Sequence, residues 1–390
     1  MFDFDKIIDR RGTHCLKWDG MASRCGVTEA DGIPMWVADM DFRAPPAVTE
    51  ALEEVVARGV FGYHGDDFEY RAAIAGWMGR RHGWEVDPAA ILTAHGLVAA
   101  VGHCLEAFTA PGEAVVLFTP VYHAFARIIA ANGREVVESP LALEDGRYRM
   151  DLDALGAGLT GRERMVILCS PHNPGGRIWD REELAALAAF CAERGLILVS
   201  DEVHHDIILT DTRHVPLPLA APGHMDRIVM LTAGSKCFNL AGGMTGNIIA
   251  PDPTLRARLK GRLAASSVSA NMFGLAMATA AYSGADAWMD ALCGYLAGNA
   301  QVFDEGVAAI PGVRPMPLDS TYLAWVDFAG TGMERDEFTR RVQRDARIAV
   351  NLGPTFGAGG ETFLRFNIGT RRALVVEAVE RLQEAFSDLQ

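Results

Sequence analysis

The stretch Ser235-Lys236-Cys237-Phe238-Asn239 places a lysine at the end of a predicted buried strand. Residues 228–233 before it form an apolar run typical of such a strand, and Gly242-Gly243 soon after it indicates a turn. A lysine shielded from water where a strand empties into a loop has a lowered pKa, and its neutral amine can form a Schiff base. The stretch also fits a lysine whose ammonium group extends past the strand end into water. The preceding segments favour the first interpretation.

Two earlier segments carry polar residues directly after apolar runs. Residues 170–176 (SPHNPGG) follow the run 165–169, and residues 200–204 (SDEVH) follow the run 196–199. Because neighbouring parallel strands present their ends at one edge of a sheet, the polar residues of these segments are expected to face a common ligand site. An amide, an acid and a lysine in this order suit a pyridine cofactor whose ring nitrogen pairs with the carboxylate.

The middle of the chain alternates between strand-like and helix-like segments. Helices are predicted at 45–58 and 184–194, and strands are predicted at 115–118, 165–169, 196–199, 228–231 and 246–250. This alternation predicts an α/β fold with a mostly parallel, doubly wound sheet. Residues 216–223, rich in proline and glycine, are expected to form a surface loop. The apolar face of the first helix is predicted to comprise Val48, Leu52, Val55 and Val56.

The last hundred residues have a different pattern. A helix is predicted at 286–309, half-buried strands at 322–328 and 363–368, and a closing helix at 371–386. This pattern predicts a smaller α+β domain.

Bulk properties exclude several classes of protein. A net charge of −14 over 390 residues argues against nucleic acid as a partner. The chain shows neither a secretion signal nor an apolar run of membrane-spanning length, so no membrane partner and a cytoplasmic location are expected. Seven cysteines without a C-x-x-C pair indicate neither a disulfide framework nor a zinc ribbon.

The three segments around Asn173, Asp201 and Lys236 together resemble the signature of fold-type I pyridoxal-phosphate (PLP) enzymes, the aspartate-aminotransferase superfamily. Residues 1–13, 17–19 and 34–42 (PMWVADMDF) resemble one branch of it, the cystathionine β-lyase-like C–S lyases that include the maltose-regulon-modulator type. The resemblance implies a PLP-dependent transferase (aspartate-aminotransferase-like) fold. It also implies a homodimer whose active sites are shared between subunits. We expect an N-terminal arm at 1–46, a large PLP-binding domain at 47–285 and a small domain at 286–390.

The phosphate of the cofactor has a predicted place. Residues 91–100 (ILTAHGLVAA) run from a short strand through a glycine into an apolar helix. Backbone N–H groups at a helix start bind anions without cationic side chains. The phosphate is therefore expected at Gly96, Leu97 and Val98.

The resemblance also implies roles for other residues. Lys236, Asp201 and Tyr122 are the predicted catalytic residues, with Tyr122 lying over the pyridine ring; Tyr122 also fits a core aromatic. Arg365 lies in an apolar strand and is expected to hold the substrate α-carboxylate, although an internal salt bridge is the alternative. The remaining predicted contacts are Asn173 and His204 with the phenolic oxygen of the cofactor, Ser235 and the neighbouring subunit's Tyr63 with its phosphate, and Trp36 and Ala38 with the substrate.

Two of these residues have structural alternatives. Trp36 also fits an aromatic that anchors the N-terminal arm, and Tyr63 also fits a packed interface aromatic. One position departs from many aminotransferases, which carry a phosphate-binding arginine eight residues after the lysine. Here that position is Met244, which favours a lyase over an aminotransferase.

The predicted reaction is β-elimination from cystathionine or a related S-substituted cysteine, giving a thiol, pyruvate and ammonia. Lys236 would remove the Cα proton, and Asp201 would keep the pyridine nitrogen protonated. Transamination of an α-amino acid is the alternative, and a regulatory binding protein on the same fold is a minor one. Glu202, His204, His205 and Asp206 suggest a metal hydrolase, but adjacent histidines of one strand point to opposite faces, so no metal is predicted.

Overall fold

The computed structural model describes residues 2–28 and 30–389. The predicted arm therefore includes two residues outside the described ones, Met1 and Glu29, and the predicted small domain includes one, Gln390. The strands are β1 (Ile33–Pro34), β2 (Ile91–Ala94), β3 (Ala114–Thr119), β4 (Glu135–Pro140), β5 (Ala142–Glu144), β6 (Arg147–Arg149), β7 (Glu163–Cys169), β8 (Ile197–Asp201), β9 (Ile228–Thr232), β10 (Gly246–Ile249), β11 (Arg314–Pro315), β12 (Leu323–Asp327), β13 (Ile348–Ala349), β14 (Asn351–Leu352) and β15 (Phe363–Asn367).

The α-helices lie between and after these strands. They are α1 (Leu16–Asp19), α2 (Met21–Cys25), α3 (Pro46–Arg58), α4 (Phe68–His82), α5 (Leu97–Phe108), α6 (Ala124–Ala131), α7 (Leu152–Gly158), α8 (Arg181–Glu193), α9 (Leu217–Ala220), α10 (Gly234–Cys237), α11 (Pro253–Ser266), α12 (Met272–Gly284), α13 (Asp286–Ala308), α14 (Arg335–Arg340) and α15 (Arg372–Ala385). Short 3-10 turns occur at Pro88–Ala90, Pro222–His224, Ala241–Gly243, Ala329–Thr331 and Gly353–Phe356, and a π-helical turn occurs at Arg341–Asp345.

The largest sheet has seven strands, in the order β2-β10-β9-β8-β7-β3-β4. Neighbouring strands from β9 through β4 pair in parallel, and β10 runs antiparallel to both of its neighbours. Alternate residues of β3 pack into two different cores: Val115 and Leu117 face one, and Val116 and Phe118 face the other. Apolar cores on both faces are what a doubly wound parallel sheet requires. The predicted fold class is confirmed.

A second, antiparallel sheet in the order β11-β12-β15-β14 lies in the C-terminal part. The arm joins this part of the chain, because β1 pairs in parallel with β13. The sheet places Arg365 in β15 opposite Trp325 on one side and Asn351 on the other.

Three local expectations differ from the structure. Val56 was predicted on the buried face of α3 but is 60% exposed, whereas Val48 and Val55 are buried. Residues 216–223 are not a surface loop: Leu217 is fully buried within α9, and a 3-10 turn follows. Lys236 lies in the short helix α10, not in an open loop.

Over residues 2–28 and 30–389, no helix combines the length and apolar character needed to span a bilayer.

Candidate active site

A cavity of about 380 Å³ lies at the edge of the large sheet where its parallel strands end. Segments that follow β2, β3, β7, β8 and β9 line it, and the antiparallel β10 enters the sheet from the same edge. This is the usual position of a ligand site in an open α/β sheet. Ten of the residues predicted for the site line the cavity: Ala38, Gly96, Leu97, Val98, Tyr122, Asn173, Asp201, His204, Ser235 and Lys236.

Lys236 faces the cavity from α10, immediately after β9. Its Nζ atom donates a hydrogen bond to the backbone oxygen of Ala38 at 2.6 Å. Burial and, to a smaller extent, the charge of Arg365 lower the pKa of Lys236 to about 8, although the charges of Asp39 and Asp201 oppose the shift. A substantial fraction of this amine is therefore neutral near pH 8, as nucleophilic or basic chemistry requires.

Asp201 ends β8 and is 6% exposed. Burial raises the pKa of Asp201 to about 7, although a hydrogen bond from the Val203 N–H at 3.1 Å and the charge of Lys236 favour its ionised form. A cation placed beside this carboxylate would keep it ionised at neutral pH. The protonated nitrogen of a pyridine ring fits that requirement.

The first turn of α5 forms one end of the cavity, where Gly96, Leu97 and Val98 lie. Gly96 has φ 84°, a conformation that favours glycine, and it turns the chain from β2 into the helix. The first backbone N–H groups of a helix have no partner within it and attract anions. Met244 borders this turn, since a methyl group added at Gly96 would lie 3.7 Å from its Cε.

Tyr122, Asn173 and His204 form the walls of the cavity. The N–H of Tyr122 donates to the backbone oxygen of Asn173 at 3.1 Å, and the Tyr122 ring meets Phe125 edge-on at 5.5 Å. Burial lowers the pKa of His204 well below its ordinary value, so its imidazole is neutral. Within the described chain, Nδ1 of His204 has no hydrogen-bond partner. These side chains, with Asp201 and the start of α5, form a donor and acceptor set that fits PLP.

Arg365 is 2% exposed and lies beside the cavity without lining it. Its guanidinium donates to Asn173 Oδ1 at 3.0 Å, to the Trp36 backbone oxygen at 2.9 Å and to Asn351 Oδ1 at 2.6 Å. Burial lowers the pKa of Arg365 to about 10, which still leaves it charged at neutral pH. No carboxylate of the described residues lies within 4 Å of it, so the alternative of an internal salt bridge is not found. A buried charge without a counter-ion suits a carboxylate ligand.

The N-terminal arm reaches the site through its backbone. The Trp36 ring points away, donating from Nε1 to the Lys17 backbone oxygen at 2.9 Å and packing against a small apolar cluster with Met21 and Val27. The ring thus anchors the arm, while the Trp36 carbonyl holds Arg365. The predicted substrate contacts of Trp36 and Ala38 remain predictions.

Tyr63 lies outside the cavity of its own chain. Its side chain is fully exposed in the segment between α3 and α4. Its predicted contact with the cofactor phosphate of another subunit therefore remains a prediction.

Two residues that hold the site were not predicted from the sequence. Asn351 bonds Arg365 only because β14 pairs with β15 in this register, and a non-local register has no signal in a single sequence. The hydroxyl of Tyr322 donates to the Ala38 oxygen at 3.0 Å, across 284 residues of chain. Tyr322 begins a strand that the sequence predicts, but the sequence gives no sign of its contact with the arm.

The prediction that His204 and His205 lie on one strand is wrong. Both residues lie in the turn after β8, not on a strand. They nonetheless diverge as expected, since His204 lines the cofactor cavity while His205 contacts Asp206 on the far side of this turn.

Comparisons with known proteins show the family of this chain. The sequence profile of the aminotransferase class I and II family matches residues 31–382. The cystathionine beta-lyase PatB of Bacillus subtilis (strain 168) is 39% identical, with 99% of this chain and 100% of that protein covered. Protein MalY of Escherichia coli (strain K12) is 36% identical, with 99% of each covered. The PLP-bound C-S lyase of Staphylococcus hominis superposes with a TM-score of 0.91 at 29% identity, covering 100% of this chain and 99% of that one.

Proposed function

Because the chain belongs to the aminotransferase class I and II family, we propose that it is a PLP-dependent C–S β-lyase. Its substrate is cystathionine or a related S-substituted cysteine, which it cleaves to a thiol, pyruvate and ammonia. The predicted family is confirmed, and the names of two relatives support the lyase activity and the cofactor. The observation that carries the proposal is one cavity that brings together Lys236, Asp201 and the start of α5, beside an arginine that has no acidic partner among the described residues.

When bound, PLP supplies an electron-accepting ring that stabilises negative charge at the substrate Cα. Lys236 is the base at that carbon, because its amine is neutral in a substantial fraction of molecules near pH 8. Asp201 holds the ring nitrogen in its charged form, and the first turn of α5 holds the phosphate. Arg365 orients the substrate by its carboxylate, which places the Cα proton toward Lys236.

The group that the substrate carries at Cβ determines which of two reactions, elimination or transamination, takes place in such a site. A substrate with a thiolate leaving group at Cβ undergoes elimination, whereas one without it can only exchange its amino group. Met244 lines the same cavity as the start of α5. It takes the place of the arginine expected in many aminotransferases, and this supports elimination.

We further propose that the enzyme is a homodimer in which Tyr63 completes the site of the other subunit. Apolar residues close to Tyr63 in the sequence are also exposed and define an apolar patch: Val60, Phe61 and Phe68 are 76%, 56% and 61% exposed. Phe61 also contacts Phe273 at a ring distance of 5.6 Å, which extends the patch onto α12. A second copy related by two-fold symmetry would bury the same patch on both subunits.

Two other assignments are also proposals. The seven cysteines are all free, which supports a reducing, cytoplasmic location. The arm, large domain and small domain are divided near residues 46 and 285, where α3 begins and where α12 gives way to α13.

The test is to incubate the PLP-loaded enzyme with L-cystathionine and to measure pyruvate, thiol and ammonia. Equimolar release of the three is expected, and Lys236→Ala is expected to release none of them at a measurable rate while remaining folded. A panel of S-substituted cysteines then identifies the preferred thioether. Conversion of the substrate to its intact keto acid, dependent on an amino-group acceptor and without pyruvate, would show an aminotransferase instead.

A further inference from the structure

A second cavity, of about 720 Å³, lies at the C-terminal end of α4 and the turn after β8. It shares no lining residue with the cofactor cavity. Three histidines and an aspartate line it: His82, His205, His214 and Asp206. The lyase reaction proposed above uses none of these side chains.

His82, His205 and Asp206 converge on one point. Nε2 of His82 lies 2.8 Å from Oδ1 of Asp206, and Nε2 of His205 lies 3.3 Å from Oδ2 of the same carboxylate. One ligand atom from each of the three residues lies within 4.8 Å of the other two. Nitrogen and oxygen ligands about 2.0–2.2 Å from a zinc ion would be separated by comparable distances.

The contact between His205 and Asp206 is incomplete in the protein alone. Both residues are buried, with exposures of 1% and 4%. Within the described chain, neither Nε2 of His205 nor Oδ2 of Asp206 has a hydrogen-bond partner, although they lie 3.3 Å apart. A buried polar atom without a partner is costly, so a ligand between these two atoms would relieve both.

Surrounding groups already orient the two side chains. Nδ1 of His205 contacts the backbone oxygen of Glu202, which fixes the ring so that Nε2 faces Oδ2 of Asp206. Trp77 Nε1 donates to Oδ1 of Asp206 at 2.9 Å and fixes the carboxylate plane. Hydrogen bonds of this kind orient the ligands of metal sites.

His214 closes a further side of the cavity. Its ring centre lies 6.0 Å from those of His82 and His205. Nε2 of His214 bonds Glu202 Oε2 at 2.6 Å, while Ser200 and Leu217 donate to the other Glu202 oxygen. His214 is therefore held in place, and the open side of the cavity leaves room for water at the remaining coordination positions.

We propose that His82, His205 and Asp206 bind one divalent transition-metal ion of the Zn²⁺ type, at a site separate from the cofactor. Two imidazoles and one carboxylate suit such an ion, whereas Mg²⁺ and Ca²⁺ prefer oxygen ligands. The ion would join the end of α4 to the turn that follows Asp201, and would stabilise the folded chain by binding to it. This proposal does not depend on the lyase activity.

The test uses the PLP-loaded enzyme after chelator treatment, titrated with ZnCl₂ in competition with a chromophoric zinc indicator. One Zn²⁺ per chain and a rise in the melting temperature are expected. His82→Gln and Asp206→Asn are expected to weaken this binding at least 100-fold. His103→Gln is the matched control, because His103 is a histidine of α5 that pairs with Glu106 of its own helix, and it should bind zinc like the parent. The absorbance of bound PLP reports whether each variant is folded.

Equal zinc affinity in the parent and both variants would place the ion elsewhere and overturn the proposal, as would binding of no zinc by the parent. Crystals of the parent soaked in ZnCl₂ provide a measurement that does not depend on variants that fold. An anomalous peak between the three side chains supports the site, and a peak only at other positions refutes it.

Discussion

Lys236 donates a 2.6 Å hydrogen bond from its ammonium group to the backbone oxygen of Ala38, so the arm holds the candidate base of the large sheet. The same oxygen accepts from Tyr322, which ties this contact to the start of β12. Three distant parts of the chain thus meet at one carbonyl. The orientation of the lysine depends on the folded arm as well as on the strand that precedes it.

The pKa of Lys236 has a direct consequence for loading with cofactor. Only the neutral amine attacks an aldehyde, and burial lowers this pKa from 10.5 to about 8. The rate at which the apoenzyme incorporates PLP should therefore rise with pH and reach half its maximum near pH 8. Stopped-flow absorbance measures this rate, with Nα-acetyl-lysine as a reference whose rate continues to rise above pH 10. A half-maximum near 10.5 for the protein would show that the amine is solvated.

Asp201 should require its negative charge. Asp201→Asn removes the charge with little change of shape, and kcat for pyruvate release is expected to fall by about 100-fold or more. Asp201→Glu keeps the charge and should retain much more activity. PLP content, measured by absorbance after alkaline release, separates loss of cofactor from loss of rate. Near-parent kcat in the asparagine variant would make Asp201 a structural residue.

Arg365 should act through the planar geometry of its guanidinium. Arg365→Lys keeps the charge but loses the paired donors, so kcat/KM for L-cystathionine is expected to fall about 100-fold, or about 3 kcal/mol. Arg372→Lys is the matched control, because Arg372 is a partly buried arginine that bonds Asn299 and Tyr295 far from the cavity. Similar losses in the two variants would point to a general effect on folding.

Met244 should limit how tightly PLP is held. Its side chain borders the first turn of α5, so Met244→Arg places a guanidinium beside the phosphate. The dissociation constant of PLP should decrease by about tenfold, roughly 1.4 kcal/mol, as measured by loss of PLP absorbance on dialysis. Met244→Leu, which adds no charge, should bind PLP like the parent. Weaker binding in the arginine variant would contradict the assigned position of the phosphate.

The local pattern of apolar residues was sufficient to predict the strands that carry the site. The runs before Asn173, Asp201 and Lys236 are apolar without a break because both faces of the sheet are covered, and such runs are visible in one sequence. The residues at their ends then follow from the topology of a parallel sheet. The long helix predicted at 286–309 was likewise found at Asp286–Ala308.

Local sequence pattern gave no correct prediction where the structure depends on contacts between distant parts of the chain. Val56 has helical spacing from Leu52, yet the structure leaves it exposed. The prolines near 216–223 begin short helices that pack Leu217 into the core, although their composition is typical of a loop. The bond between Arg365 and Asn351 depends on strand register, which local propensity does not encode.

Tyr63 has a fully exposed side chain that does not line the cavity of its own chain. If it serves the site of a second subunit, Lys236→Ala chains and Tyr63→Phe chains should complement each other after joint refolding. Each mixed dimer then contains one site with both side chains intact, so random pairing restores about a quarter of the parent's sites. A mixture of Lys236→Ala with Asp201→Asn is the matched control, because these two residues line the same cavity of one chain and no mixed dimer has an intact site. The activity of Tyr63→Phe alone is measured first, so that the gain is judged against it. Equal activity in the two mixtures, or a fully active monomer in sedimentation, would refute the shared site.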